Sequence, residues 1–145
     1  MPVALQDLGR AVKQLQYRHH RGMDRKLREV GTSLAQWDAL RAIATRPDSS
    51  AHALAEMTFQ TDQSFGALAN RLVKRGMIER VAGPGRAIRH KLTPRGEAAL
   101  RQGREVIAPV LESSFAPLTS RQREDFYRLI GRALAEGNPP QAAGL

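Results

Sequence analysis

The sequence contains no cysteine, which excludes disulfides, zinc–thiolate sites and thiol redox switches at once. No run approaches the 18 consecutive apolar residues of a membrane-spanning helix. The opening residues, MPVALQDLGR, carry charges where a signal peptide has an apolar stretch. A cytoplasmic protein without membrane contact is the expectation. Internal repeats and low-complexity blocks are missing too, and 145 residues suit one packed domain. Acidic residues are scarcest between Thr61 and Arg95, where only Asp62 and Glu79 oppose eight lysines and arginines. That quarter therefore holds +6 of the chain's +9. Clustered positive charge points to a polyanionic partner.

What is present is mostly helical periodicity. Leu5, Leu8, Val12 and Leu15, continued by Met23, Leu27 and Val30, are spaced three and four apart and predict a long amphipathic helix stopped at Gly31. Its stripe slips near His19, His20 and Gly22, so its two ends are expected to serve different surfaces. Ser33 with Gln36 is a capping-box pattern, opening a helix whose buried face would be Leu34, Trp37, Leu40, Ile43 and Ala44 and which Pro47 ends. Ser50 caps a short third helix with Ala53, Leu54 and Met57 inward. Thr61 caps a fourth, with Phe65, Leu68, Ala69, Leu72 and Val73 on one face and Gln63, Ala67, Asn70 and Lys74 opposite. Gly76 closes it.

Two strand-like runs, MIERV and AIRHKL, bound A-G-P-G and predict a β-hairpin. Thr93 and Pro94 open a fifth helix through Leu100, Val106, Ile107, Val110 and Leu111. After a break near Pro117, Thr119 and Gln122 open a last helix with Phe126, Leu129, Ile130, Ala133 and Leu134 as its stripe. Residues 137–145 are expected to be a disordered tail.

This order is that of a mainly α winged helix-turn-helix with a small β-hairpin wing. Residues 33–93 would form the lobe of a single domain over 1–136, with the helical segments 5–30 and 94–136 on either side of it. A helix held by one face and free on the other can enter a major groove about 12 Å wide. Gln63, Ser64 and Asn70 are the candidates for base edges, the amides through bidentate pairing with adenine, and Ala67 suits a thymine methyl. Arg71, Lys74, Arg86 and Arg89 are candidates for phosphates, Arg86 also for a narrow minor groove. Gly83 and Gly85 would let the hairpin tip approach the backbone closely. Strand alternation is expected to turn either Arg89 or Lys91 away from DNA.

The segments SLAQWDALRAI, NRLVKRGMIER and RAIRHKLTPRGEAAL, in this order and spacing, resemble the multiple antibiotic resistance regulators, the MarR family, over about residues 5–136. Leu92, Thr93 and Gly96 fall as that family's pattern places them. The resemblance implies a homodimer built by the first and last helices, bound to a pseudo-palindromic operator in double-stranded DNA, and usually a repressor released by a small molecule. The sequence departs from the pattern at Pro84, where an aspartate is common, in a wing about two residues shorter, and in the small side chains of Gly66 and Ala67. An effector site between the dimer helices and the lobe would draw on Tyr17, His20, Met23, Trp37 and Arg41, which suit a phenolic or carboxylate ligand.

Other classes fit less well. AGPGRA lacks the spacing of a nucleotide-binding loop, and Ser113 and Ser114 show no matched base, so no enzyme and no cofactor are expected. His20 and Asp24, four apart, with His52 elsewhere, would be the start of a metal-responsive site, but no second ligand pair is evident. A protein-interaction module on the same scaffold would favour acidic residues on the wing and fourth helix, which are nearly absent.

Overall fold

The computed structural model describes residues 1–83, 85 and 87–137. The roles expected of Pro84 and Arg86, and the tail from 138 onward, lie outside the described residues. Among these residues six helices and one hairpin follow in the order α1 (Leu5–Glu29), α2 (Leu34–Thr45), α3 (Ala51–Met57), α4 (Asp62–Lys74), β1 (Ile78–Ala82), β2 (Ile88–Leu92), α5 (Pro94–Phe115) and α6 (Ser120–Gly137). Gly137 belongs to α6, so the tail begins no earlier than 138.

Local chemistry sets most boundaries. The hydroxyls of Ser33, Ser50, Thr61 and Thr93 each accept the backbone N–H three residues on, which satisfies one otherwise unpaired donor at each helix start. Thr119 and Gln122 complete a reciprocal capping box at α6. Gly31 and Gly76 take positive φ just beyond α1 and α4, where a Cβ would be strained.

The core is one cluster built from Leu27 of α1, Trp37, Leu40 and Ile43 of α2, Leu54 of α3, Phe65 and Leu72 of α4, Ile78 of β1, and Leu100 and Ile107 of α5. Ala44 is exposed, contrary to the expectation of a buried face including it; Ala39 and Ala42 are buried in that helix. Two glycines of α5 permit close approach. A Cβ on Gly96 would overlap the carbonyl of Met77, and one on Gly103 would overlap the Trp37 indole. Thr93 reinforces the first contact, its Oγ1 donating to Gly76 O at 2.5 Å and its N–H to Met77 O at 3.0 Å. The start of α5 is thus clamped to the turn between α4 and β1.

Among the described residues nothing covers the apolar stripes of α1 and α6. Leu5, Leu8 and Val12 of α1 and Phe126, Leu129, Ile130 and Leu134 of α6 are all exposed in the single chain, Leu5 at 82% and Leu129 at 56%. No helix among the described residues is long and apolar enough to cross a membrane.

Candidate nucleic-acid interface

Helix α4 divides cleanly. Phe65, Leu68, Ala69 and Leu72 are buried, whereas Gln63, Ser64, Ala67, Asn70, Arg71 and Lys74 are exposed along the other side. The first set anchors the helix by removing apolar area from water, at about 25 cal/mol per Å². The second set makes a row of amide, hydroxyl, methyl and cationic groups with no acid after Asp62.

The hairpin stands beside this row. β1 and β2 are antiparallel, with Ile78 opposite Leu92, Arg80 opposite His90 and Val81 opposite Arg89. Side chains directly opposite each other share a face, so Arg80 and His90 point the same way, and Arg89 and Lys91, two apart, both take the other face. The expected division between Arg89 and Lys91 is therefore corrected: a period of two keeps them together. Arg89 lies along the hairpin, since a Cβ on Gly83 would meet its Cγ at 2.8 Å, and its Nη1 donates to Ile88 O at 3.3 Å. Gly83 thus makes room for that side chain, while Gly85 supplies the positive φ of the turn.

Arg80 turns inward to α4, where its Nη2 donates to Asn70 Oδ1 at 2.5 Å. From the sequence Arg80 counts only among the eight clustered cations and carries no site role. The signal was there in the alternation from buried Ile78, which puts Arg80 on the face that looks towards α4. His90, on that same face, is buried with its ring edge-on to Phe65 at 6.1 Å between centroids. Burial, and secondarily Arg80, pushes its imidazole below the ordinary range.

At the helix-turn-helix corner, His52 of α3 places Nδ1 2.8 Å from Asp62 and Nε2 3.1 Å from Glu56. Hydrogen bonding to Asp62 and the charges of Asp62 and Glu56 raise its pKa. Among the described residues no three His, Cys, Asp or Glu side chains are grouped to hold a metal ion.

A groove of about 580 Å³ separates α1 and α2 from α4. His20, Asp24, Arg28 and Gln36 line one side and Gln63, Ser64, Ala67 and Arg71 the other. Burial alone would raise the Asp24 carboxyl, but the Leu34 N–H bond and Arg28 hold it below its ordinary value. Of the five residues expected near an effector, His20 alone lines this groove. Trp37 is buried with its Nε1 donating to Leu100 O at 3.1 Å, and Arg41 lies over its ring at 5.8 Å. Tyr17 is exposed beneath Arg21, and Met23 packs against the core. The single chain does not bring the five together.

Gln36 has a second duty that sequence reasoning also missed. Its Oε1 accepts from Thr32 Oγ1 at 3.1 Å and from Arg75 Nη1 at 2.7 Å, so it does not close the capping box with Ser33. Arg75 Nη2 also donates to Gly31 O at 2.6 Å. The expectation that Ser114 lacks a base is corrected as well: His19 Nε2 is 2.5 Å from Ser114 Oγ, to which Arg18 donates at 3.1 Å. The His19 ring also meets that of Phe115 at a tilt, 5.0 Å between centroids, and the cluster bolts α1 to α5.

A three-helix lobe, a half-exposed fourth-position helix and a basic hairpin flanked by long helices define a winged helix-turn-helix protein. Residues 30–87 match the model of the MarR family. The chain is 27% identical over 106 residues to the HTH-type transcriptional repressor Rv2887 of Mycobacterium tuberculosis, covering 72% of this chain and 76% of that protein. Its fold is similar to that of an E. coli MarR variant complexed with operator DNA, with a TM-score of 0.80 at 21% identity, covering 88% of this chain and 94% of the other. It is also similar to the M. tuberculosis protein complexed with salicylic acid, with a TM-score of 0.72 at 24% identity over 86% and 94% of the two chains.

Proposed function

We propose that this protein is a homodimeric regulator of transcription that binds double-stranded DNA in a sequence-specific manner and represses until a small aromatic or carboxylate effector releases it. The observation that carries the reading is α4, pinned by Phe65, Leu68, Ala69 and Leu72 while offering an acid-poor polar row beside the hairpin. The operator complex of the E. coli relative and the salicylic acid complex of the mycobacterial one support both halves of it.

In this reading Gln63, Ser64 and Ala67 meet base edges near the start of α4, and Asn70 does so further along it. Arg71, Lys74, Arg86 and Arg89 hold phosphates, which makes affinity depend steeply on salt. The uncovered strips on α1 and α6 take the same strips of a second copy, burying Leu8, Val12, Leu129 and Ile130. Two α4 helices then enter successive major grooves, with half-sites about 34 Å apart. Effector recognition falls at the groove between α1, α2 and α4, which His20 and Arg28 line. The protein works as a binding module at a cytoplasmic chromosome, without a cofactor or a catalytic step.

Selection from a random duplex pool, repeated with salicylate present, tests this. Enrichment of a two-fold-related motif, weakened by salicylate, is the expected result. Recovery of no preferred duplex would overturn the reading.

A further inference from the structure

We infer that Arg80, a residue of the wing strand, sets what Asn70 reads: the two together select guanine in the DNA major groove, in place of the adenine that an isolated asparagine selects. This deepens the DNA-binding reading and rests on it.

The contact between the two side chains fixes an orientation that the sequence leaves open. A carboxamide has one accepting end and one donating end, whereas a guanidinium has donors only. The end of Asn70 that meets Arg80 Nη2 at 2.5 Å is therefore Oδ1, and Nδ2 is the end left over. Arg80 reaches this point because β1 follows α4 directly through the Gly76 turn and alternates from buried Ile78. Among the described residues its guanidinium makes no other hydrogen bond or ion pair, so further N–H groups remain beside the amide. Both side chains are exposed.

Bidentate pairing with adenine requires asparagine to accept from N6 and donate to N7. Here the accepting oxygen already faces the Arg80 guanidinium. That oxygen keeps a second lone pair, but an adenine N6–H2 taking it would stand donor against donor beside the guanidinium N–H groups of Arg80. Guanine presents acceptors at both N7 and O6. The combined edge of Asn70 and Arg80, Nδ2–H next to guanidinium N–H, has the matching pair of donors. Asn70, neutral and on the outward face of α4, thus acts as the carrier of Arg80's specificity, and Arg80 as its positioning residue.

Selection from a random duplex pool with the wild-type protein, Asn70→Ala, Arg80→Met and Arg80→Lys tests the inference. Asn70→Ala identifies the dependent position by abolishing preference there. Wild type favours guanine at that position by roughly 5- to 150-fold, the discrimination of a bidentate base contact. Arg80→Met frees the carboxamide and turns the preference to adenine, a change of identity that a merely structural residue would not produce. Arg80→Lys, which keeps the charge and a donor for Oδ1, retains guanine with reduced discrimination. An adenine at the dependent position in wild type overturns the inference. So does Arg80→Met weakening every duplex alike with base identity unchanged, or Asn70→Ala altering no position. These outcomes leave DNA binding standing, whereas a wild-type protein that enriches no duplex removes the DNA-binding reading itself.

Discussion

Arg75, at the end of the helix that faces outward, donates to Gln36 Oε1 at 2.7 Å and to Gly31 O at 2.6 Å, tying that end to the joint between α1 and α2. A charged donor in such bonds contributes about 1.5–3 kcal/mol each at most, less where water competes. Arg75→Met should therefore lower stability by about 1–3 kcal/mol in urea unfolding. Amide exchange should quicken in the last turn of α4 and not at its Thr61 end. Uniform quickening along α4 would contradict a local tether.

Gly103 touches the Trp37 indole with no space for a methyl group. Gly103→Ala forces α5 away from α2 or the indole out of its place, and overpacking of this kind costs about 1–3 kcal/mol. A thermal midpoint equal to or above wild type would show that the helix pair can shift without strain.

Two histidines should give opposite pH dependences. The pKa of His52 is raised by Asp62 and Glu56, so its contribution is present in full below the ordinary value of about 6.5 and is lost as pH rises through the folded-state value. The stability difference between wild type and His52→Gln should shrink as pH is raised across that window. His90 is lowered, first by burial and then by Arg80. Its neutral form suits the fold, so stability is full above about 6.5 and falls as pH drops towards the folded-state value. His90→Leu should flatten the acid limb of the stability curve. Denaturant titrations at a series of pH values check both signs.

Within α4, Lys74→Ala should weaken binding to all duplexes alike and reduce the slope of log affinity against log salt by about one unit. Gln63→Ala should leave the slope unchanged and cost about 1–3 kcal/mol of discrimination between preferred and altered duplexes. Fluorescence anisotropy over a salt series, with specific and random duplexes, separates the two. Equal losses on both DNAs for both variants would refute the assignment.

Ile130→Asp places a charge in the uncovered strip of α6. It should halve the mass seen in sedimentation equilibrium. Affinity for a two-half-site duplex should fall by about 100-fold or more through loss of bivalent attachment. A variant that remains a dimer with full affinity would locate the interface elsewhere.

The helix starts were legible because caps are local: Ser33, Ser50, Thr61, Thr93 and Thr119 each act within three residues. The two faces of α4 were legible for the same reason, since a 3.6-residue period needs no knowledge of the partner. What escaped were bonds between residues distant in sequence. Gln36 was read as a cap, but Arg75, 39 residues on, claims its oxygen. Ser114 found its imidazole 95 residues back. Gly96 and Gly103 gave no hint of the carbonyl and the indole that require them. Ala44 failed more simply: it follows the helical stripe, but the core does not extend past Ile43 at that end.

Trp37 is the chain's only tryptophan, and it sits where α2 of the lobe meets α5, held by Leu100 O. An optical gauge thereby sits at the joint between the lobe and the long helix. Any tilt of the long helix against the lobe alters the indole's surroundings, so its emission can follow such a movement in unlabelled protein.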